Sequence, residues 1–368
     1  MIYKFLICIG IGILLSGCSE IQYYLQAIEG HLDILNRKQD IEALLEAPTT
    51  PPDLARKLKL IQDVRQFAIE QLHLPHIHGY TSYSNIERAY VTTIVTASHQ
   101  LRLEPHKWCF LLVGCLSYRG YFSAQEAQAY AAELEKEGWD VALGKVRAYS
   151  TLKWLNNEFM PDYFKDPILN TFIERADTAI IQTLIHEMAH QVIFVAGDTS
   201  FNESFAVFVE QEGLRQYLVS RKEGAREIYQ RHLQKTEDKN RFLQIIATFY
   251  QKFEQLYHSD LPDHEKRATK KQLFQEMQTL YRQRAHEFQV LNYNTWFAQP
   301  LNNAHLLGVR RYNNYVSSFL RIFQEQGQNW SAFFSKIKEI ASLPQEKRTT
   351  YLKVRSASKN LSLLPSSR

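Results

Sequence analysis

The segment Leu184-Ile185-His186-Glu187-Met188-Ala189-His190 constrains this chain more than any other. It is H-E-x-x-H set in an apolar run, Ala179 to Val195, with Ile180, Leu184, Met188 and Ile193 at helical intervals. Residues four apart share a helix face, so His186 and His190 can present two imidazoles to one point, with Glu187 beside them. Burying two histidines and a glutamate is costly unless something satisfies them, and a metal ion satisfies all three. Two neutral imidazoles at this spacing are half of a tetrahedral zinc site, and the adjacent carboxylate can take a proton from water at the metal. The bland alternative is a helix whose polar residues face solvent.

A zinc site of this kind needs a third protein ligand. Gly197-Asp198-Thr199 reads as a turn, with Gly just past the apolar run as a helix stop requires. A second helix is expected from Ser200 through Phe205, Phe208 and Val209 to about Tyr217, folded back on the first. Glu203 in its first turn is the chosen ligand. Ser200-x-x-Glu203 is also a capping box, so a purely capping Glu203 is the competing reading. Glu210 is the runner-up ligand and Glu212 a weaker one.

The run Gly197-Asp198-Thr199-x-Phe201-Asn202-Glu203-Ser204-Phe205-Ala206, following His-Glu-x-Ala-His-Gln, resembles the zinc aminopeptidase lipoproteins of bacterial envelopes, a family in the gluzincin style. Asn202-Glu203-x-x-Ala206 is similar to the gluzincin N-E-x-x-[SA] ligand segment. Trp108 to Phe122 resembles that family's signature block, Arg147 to Leu152 its lead into the metal helix, and Pro300 to Ala304 a late block. The similarity spans roughly residues 20 to 340. It implies zinc at His186, His190 and Glu203, Glu187 as the base, and aminopeptidase activity on peptide substrates. His73, His76 and His78 depart from the family and read as an exposed loop.

The chain opens with one Lys and an apolar run from Phe5 to Leu15, closed by Leu15-Ser16-Gly17-Cys18. That is the length of a signal peptide rather than a membrane span, and it resembles a bacterial lipobox. The expectation is removal of residues 1–17 and lipidation of Cys18, tethering the protein to the membrane in the cell envelope. An ordinary secretory signal is the alternative. Ser19 is not the Asp that retains lipoproteins at the inner membrane, so the outer membrane, facing the periplasm, is the expected destination. In that compartment Cys109 and Cys115 could pair if the chain turns near Val113-Gly114, or remain two buried thiols. The net charge of +4 is small for 368 residues and no Lys/Arg run stands out, so no nucleic-acid role is assigned.

The expected fold class is α+β and predominantly α-helical. A zincin-like small sheet would pack with the H-E-x-x-H helix, and a long helical hairpin arm would occupy about 223–290. Helices are expected over 21–47, about 52–72, 123–138, 306–326 and 330–340, with extended segments over 88–97, over 108–118 interrupted by Gly114, and over 141–151 as a strand pair or one bent strand. By analogy, the strand near Arg147 to Thr151 would be the edge on which a substrate backbone docks. The peptidase domain would run from 18 to 343, and the tail 344–368 would be disordered. Candidates for a donor to the reacting oxygen are Tyr149, Arg147, His305, Arg311 and Tyr312. Asp198 is a candidate partner of a ligand imidazole, or a cap. Tyr118 and Arg119 stay open between sheet and cleft. The rival function is a zinc-binding envelope lipoprotein that works as an assembly factor or chaperone. Nothing like a GxMEN segment is present to hold a substrate α-amine.

Overall fold

The computed structural model describes residues 20–75, 79–110, 114–148, 161–221 and 225–356. It is mostly helical with three small sheets, the α+β arrangement read from the sequence.

The first expected helix is two. Helix α1 covers 20–36, strand β1 covers Lys38–Asp40, and α2 covers Ile41–Glu46. The break is tertiary. β1 pairs antiparallel with β2 (Ser82–Ser84), and the Asp40 carboxylate then caps α2 by accepting from Ala43 N at 2.9 Å. Helix α3 (Pro52–Glu70) starts on Pro52, whose missing N–H costs nothing in a first turn.

Strands β3 (Thr92–His99), β6 (Arg119–Tyr121) and β7 (Trp139–Val146) form an antiparallel sheet in the order β6-β3-β7. The extended stretch over 108–118, expected to be interrupted at Gly114, is a hairpin of β4 (Trp108–Phe110) and β5 (Gly114–Leu116). In it Cys109 and Cys115 sit opposite each other and form a disulfide. Helix α4 (Ala124–Lys136) is capped by Ser123, whose Oγ accepts from Glu126 N. It closes a small core of Val95, Ala97, Trp108, Tyr121, Ala131 and Val141. β7 ends at Val146, short of the expected docking edge; residues 149–151 lie outside the described residues.

The main core is built by α3, β8 (Ile168–Leu169), α5 (Asn170–Ile173), α6 (Asp177–Ala189) and α7 (Thr199–Ser220), joined by late helices. Helices α8 (Ala225–His258) and α9 (Asp263–Arg284) are the expected arm, with a core of their own around Phe253, Phe274, Met277 and Tyr281. Helix α10 (Asn294–Ala298) caps that core through Phe297.

The turn at the arm's base depends on one buried carboxylate. Asp238, fully buried, accepts from the backbone N–H groups of Gln289, Val290 and Leu291 at 2.7–3.1 Å and from Arg241. Burial pushes its carboxyl up, but those three amides and Arg241 outweigh it and hold the group below the usual carboxylate range. Its stabilisation is therefore present above the unfolded carboxylate value and lost as pH falls through the lower folded one. Asp238→Asn, which swaps an accepting oxygen for an NH2, is expected to cost about 2 kcal/mol. Denaturant midpoints at pH 7 and amide exchange at 289–291 check this.

The expected single helix over 306–326 is broken into α11 (Asn303–Asn313) and α12 (Val316–Glu325), followed by α13 (Trp330–Ala341). The tail expected to be disordered from 344 holds helix α14 (Gln345–Ser356) as far as residue 356. Its side chains are mostly polar, but Leu352 is buried, its carbonyl accepts from Ser318 Oγ, and Arg348 reaches into the interior. Those few anchors order a segment whose composition reads as loop.

Candidate metal centre

The site lies where α6 turns back into α7. The apolar face of α6 (Ile180, Ile181, Leu184, Ile185, Met188) is buried against Phe201, Phe205, Phe208 and Val209 of α7. α6 stops at Ala189, six residues before the apolar run does, and His190 is its C-cap. Here the apolar run Val192 to Val195, β-branched except for Phe194, gives way to a tertiary staple. The Asn202 amide bonds Val195 N at 2.8 Å and Val195 O at 2.9 Å. Gly197 takes φ +79°, open to glycine at no cost. The disulfide hairpin presses on this turn, since a Cβ on Gly114 would lie 3.2 Å from Gly197 N.

His186 and His190 face one point. Their Nε2 atoms lie 3.4 and 4.0 Å from the same Oε2 of Glu203, and the three donor atoms are all within 4.8 Å of one another. Glu203 is free to do this because it is not the capping residue. Asp198 caps α7, accepting from Phe201 N at 3.1 Å. The other Asp198 oxygen is held by Arg348 of α14 at 2.7 and 2.8 Å, so Asp198 is not a hydrogen-bond partner of either imidazole. That place belongs to Glu210, two turns along α7, whose Oε2 is 2.9 Å from His186 Nδ1. Its spacing from Glu203 on one helix face was the available signal, although it had marked Glu210 only as a substitute ligand.

Electrostatics set the roles apart. Burial, countered in part by His186 and reinforced by Glu203, Asp166 and Glu210, pushes the Glu187 carboxyl up to about 7. Burial works against ionised Glu203 too, but His186, His190 and Arg311 outweigh it and hold that carboxyl low. Burial takes His190 down to about 4. It also opposes a charged His186, yet the bonds to Glu203 and Glu210 raise that imidazole well above its ordinary value. His190 Nδ1 is buried with no hydrogen-bond partner among the described residues.

This donor set fits a divalent cation. Two imidazoles and a carboxylate, buried beside two further carboxylates, carry excess negative charge that a cation among them would offset.

The remaining candidates separate. Tyr312 is at the site: first Glu203 and then burial raise its hydroxyl, with Glu187 adding to the effect. Tyr118 joins it, raised by burial and then by Glu203. Buried Arg311 stacks over the Tyr118 ring at 5.1 Å and is fixed by Ser117, donating to its carbonyl at 2.8 Å and its Oγ at 3.1 Å. Arg119 points elsewhere, 3.9 Å over Tyr23 and paired with Glu20. His305 caps α11 with Asn302 at the arm's junction and takes no part in the group. The Arg147 carbonyl accepts from Thr171, and its exposed side chain lies beside Arg175. Tyr149, Cys18, His76 and His78 fall outside the described residues. Tyr118 could have been placed only by knowing that the β5–β6 corner meets α11.

No curated protein and no solved structure matches the chain. A family model described as "Putative aminopeptidase" matches residues 22–352, nearly the whole sequence, and the chain belongs to that family.

Proposed function

We propose that this protein is a zinc-dependent peptidase of the bacterial cell envelope, acting as an aminopeptidase. The observation that carries the reading is the convergence of two imidazole Nε2 atoms on one Glu203 oxygen. His186, His190 and Glu203 would hold the ion. When bound, zinc supplies Lewis acidity toward a carbonyl and toward water near neutral pH.

The chain's own residues do the rest. Glu187, whose carboxyl burial has already made more basic, accepts the water proton and passes it to the leaving amine. Glu210 fixes the His186 ring by accepting at Nδ1. Tyr312 keeps its phenolic proton near the Glu203 carboxylate and donates to the developing oxyanion. Arg311 holds Tyr118 in the same wall. The family's description supports the peptidase class and the terminal mode of cleavage.

The envelope location rests on the leader and the Leu15-Ser16-Gly17-Cys18 motif, with lipid on Cys18 as the membrane tether. The Cys109–Cys115 disulfide agrees with an oxidising compartment. The arm's separate core favours one second reading, a zinc-holding lipoprotein that recruits a partner through α8 and α9.

Two measurements test the proposal. Purified protein should carry about one zinc per chain, as a three-ligand site with one open position requires. A mixed peptide library should lose residues from the N-terminus; internal cuts would remove the aminopeptidase mode, and no cuts with zinc bound would favour the second reading. Glu210→Gln is expected to weaken zinc binding by about 10- to 100-fold, read by competition with a chelator.

A further inference from the structure

Helix α1 has two faces. Tyr23, Gln26, Gly30 and Ile34 turn toward the protein. Tyr23 meets Tyr121 edge-on with ring centres 5.4 Å apart, Gln26 accepts from Phe122 N at 2.9 Å, and Ile34 is fully buried. Gly30 lies so close to the Phe122 ring that a Cβ would overlap it. The opposite face carries Ile21, Tyr24, Leu25, Ile28 and Leu32, which remain 61, 44, 61, 56 and 40 % exposed. No other helix or strand among the described residues exposes as many large apolar side chains. Single exposed apolar residues are ordinary, but a contiguous stripe along one helix marks an interaction site.

We infer that this stripe lies in the interfacial layer of the membrane, beside a lipid anchor on Cys18. The inference rests on the lipid-anchor reading above. Ile21 follows Cys18 by three residues, so a tether there keeps the start of the stripe within about 10 Å of the acyl chains. The spacing of residues 21, 25, 28 and 32 gives a narrow band along a helix whose other side is already committed. Its five apolar side chains fall well short of the roughly 20–30 residues a side of a stable protein interface. It does suit the about 5–10 Å depth at which an amphipathic helix lies in a bilayer surface. Glu20, Glu29 and Asp33 lie on the helix and Arg37 follows just past its end, so the attraction is apolar and owes nothing to anionic headgroups. Acyl chains hold the protein at the surface; the stripe lays α1 flat and fixes which side of the body faces the lipid.

The test uses the mature chain carrying Cys18→Ser, made without lipid, and zwitterionic phosphatidylcholine vesicles. Sedimentation should show partition into vesicles, with amide exchange slowed in residues 20–36 and not elsewhere. Leu25→Glu with Ile28→Glu should lower partition at least about tenfold, since two exposed apolar contacts are lost. Glu29→Leu, which widens the stripe, should raise it. Equal partition by the double variant, or no protection of α1, overturns the inference. A concentration-dependent dimer abolished by the same variant would give the stripe to a second copy and overturn it too. The mass of the N-terminal peptide from cells reports acylation of Cys18 separately, so failure of the anchor and failure of the stripe are distinguishable.

Discussion

Glu187→Gln is expected to leave zinc content and thermal stability near wild type while lowering kcat by about a thousandfold, the middle of the range for loss of a general base. The substitution keeps the side-chain volume and removes only the ability to carry a proton. Burial, opposed by neighbouring His186 and reinforced by the carboxylates of Glu203, Asp166 and Glu210, drives the Glu187 carboxyl up to about 7. A divalent cation beside it favours the ionised form, so the acid limb of kcat/KM should fall below pH 7 in the zinc-loaded protein. Activity should decline as pH drops through that limb, because protonated Glu187 cannot accept. Retained hydrolysis by the Gln variant, with zinc confirmed by metal analysis, would remove Glu187 from the mechanism. Loss of both zinc and fold would instead make it a structural residue.

The largest effect on stability is expected at Arg348. Its guanidinium holds Asp198 in a buried pair at 2.7 Å, donates to the carbonyls of Ala341 and Leu343, and lies 5.5 Å over the Phe201 ring. Arg348→Met fills the space but leaves the Asp198 carboxylate buried without its countercharge. Breaking one side of such a pair costs about 3–5 kcal/mol. Asp198→Asn with Arg348→Met should recover part of that loss, because the stranded charge is gone. Denaturant unfolding of the single and double variants measures the coupling. Additive losses would show that the pair contributes little beyond its packing.

Long periodic segments were legible in the sequence. The apolar spacing of α6 and the extended period of α8 and α9 dictate helix whatever surrounds them, and Ser123 announced its helix through local capping chemistry. The grouping of His186, His190 and Glu203 was legible because helical spacing and one turn bring them together. The rest depends on contacts between segments distant in sequence. Helix α1 ends at 36 because β1 finds β2, some forty-five residues on. Glu210 serves His186 because α7 packs antiparallel on α6 at one register, which periodicity alone leaves open. Asp198 looked free to serve an imidazole until α14 claimed it. α14 itself has few apolar residues, so nothing local marked it as ordered.

That last contact has a consequence for biogenesis. The bend that seats Glu203 opposite the imidazoles is tied down by a residue synthesised 150 positions after Asp198. While the polypeptide is still being made, the nascent α6–α7 elbow lacks its clamp, so the bend gains its full support only once nearly the whole chain exists.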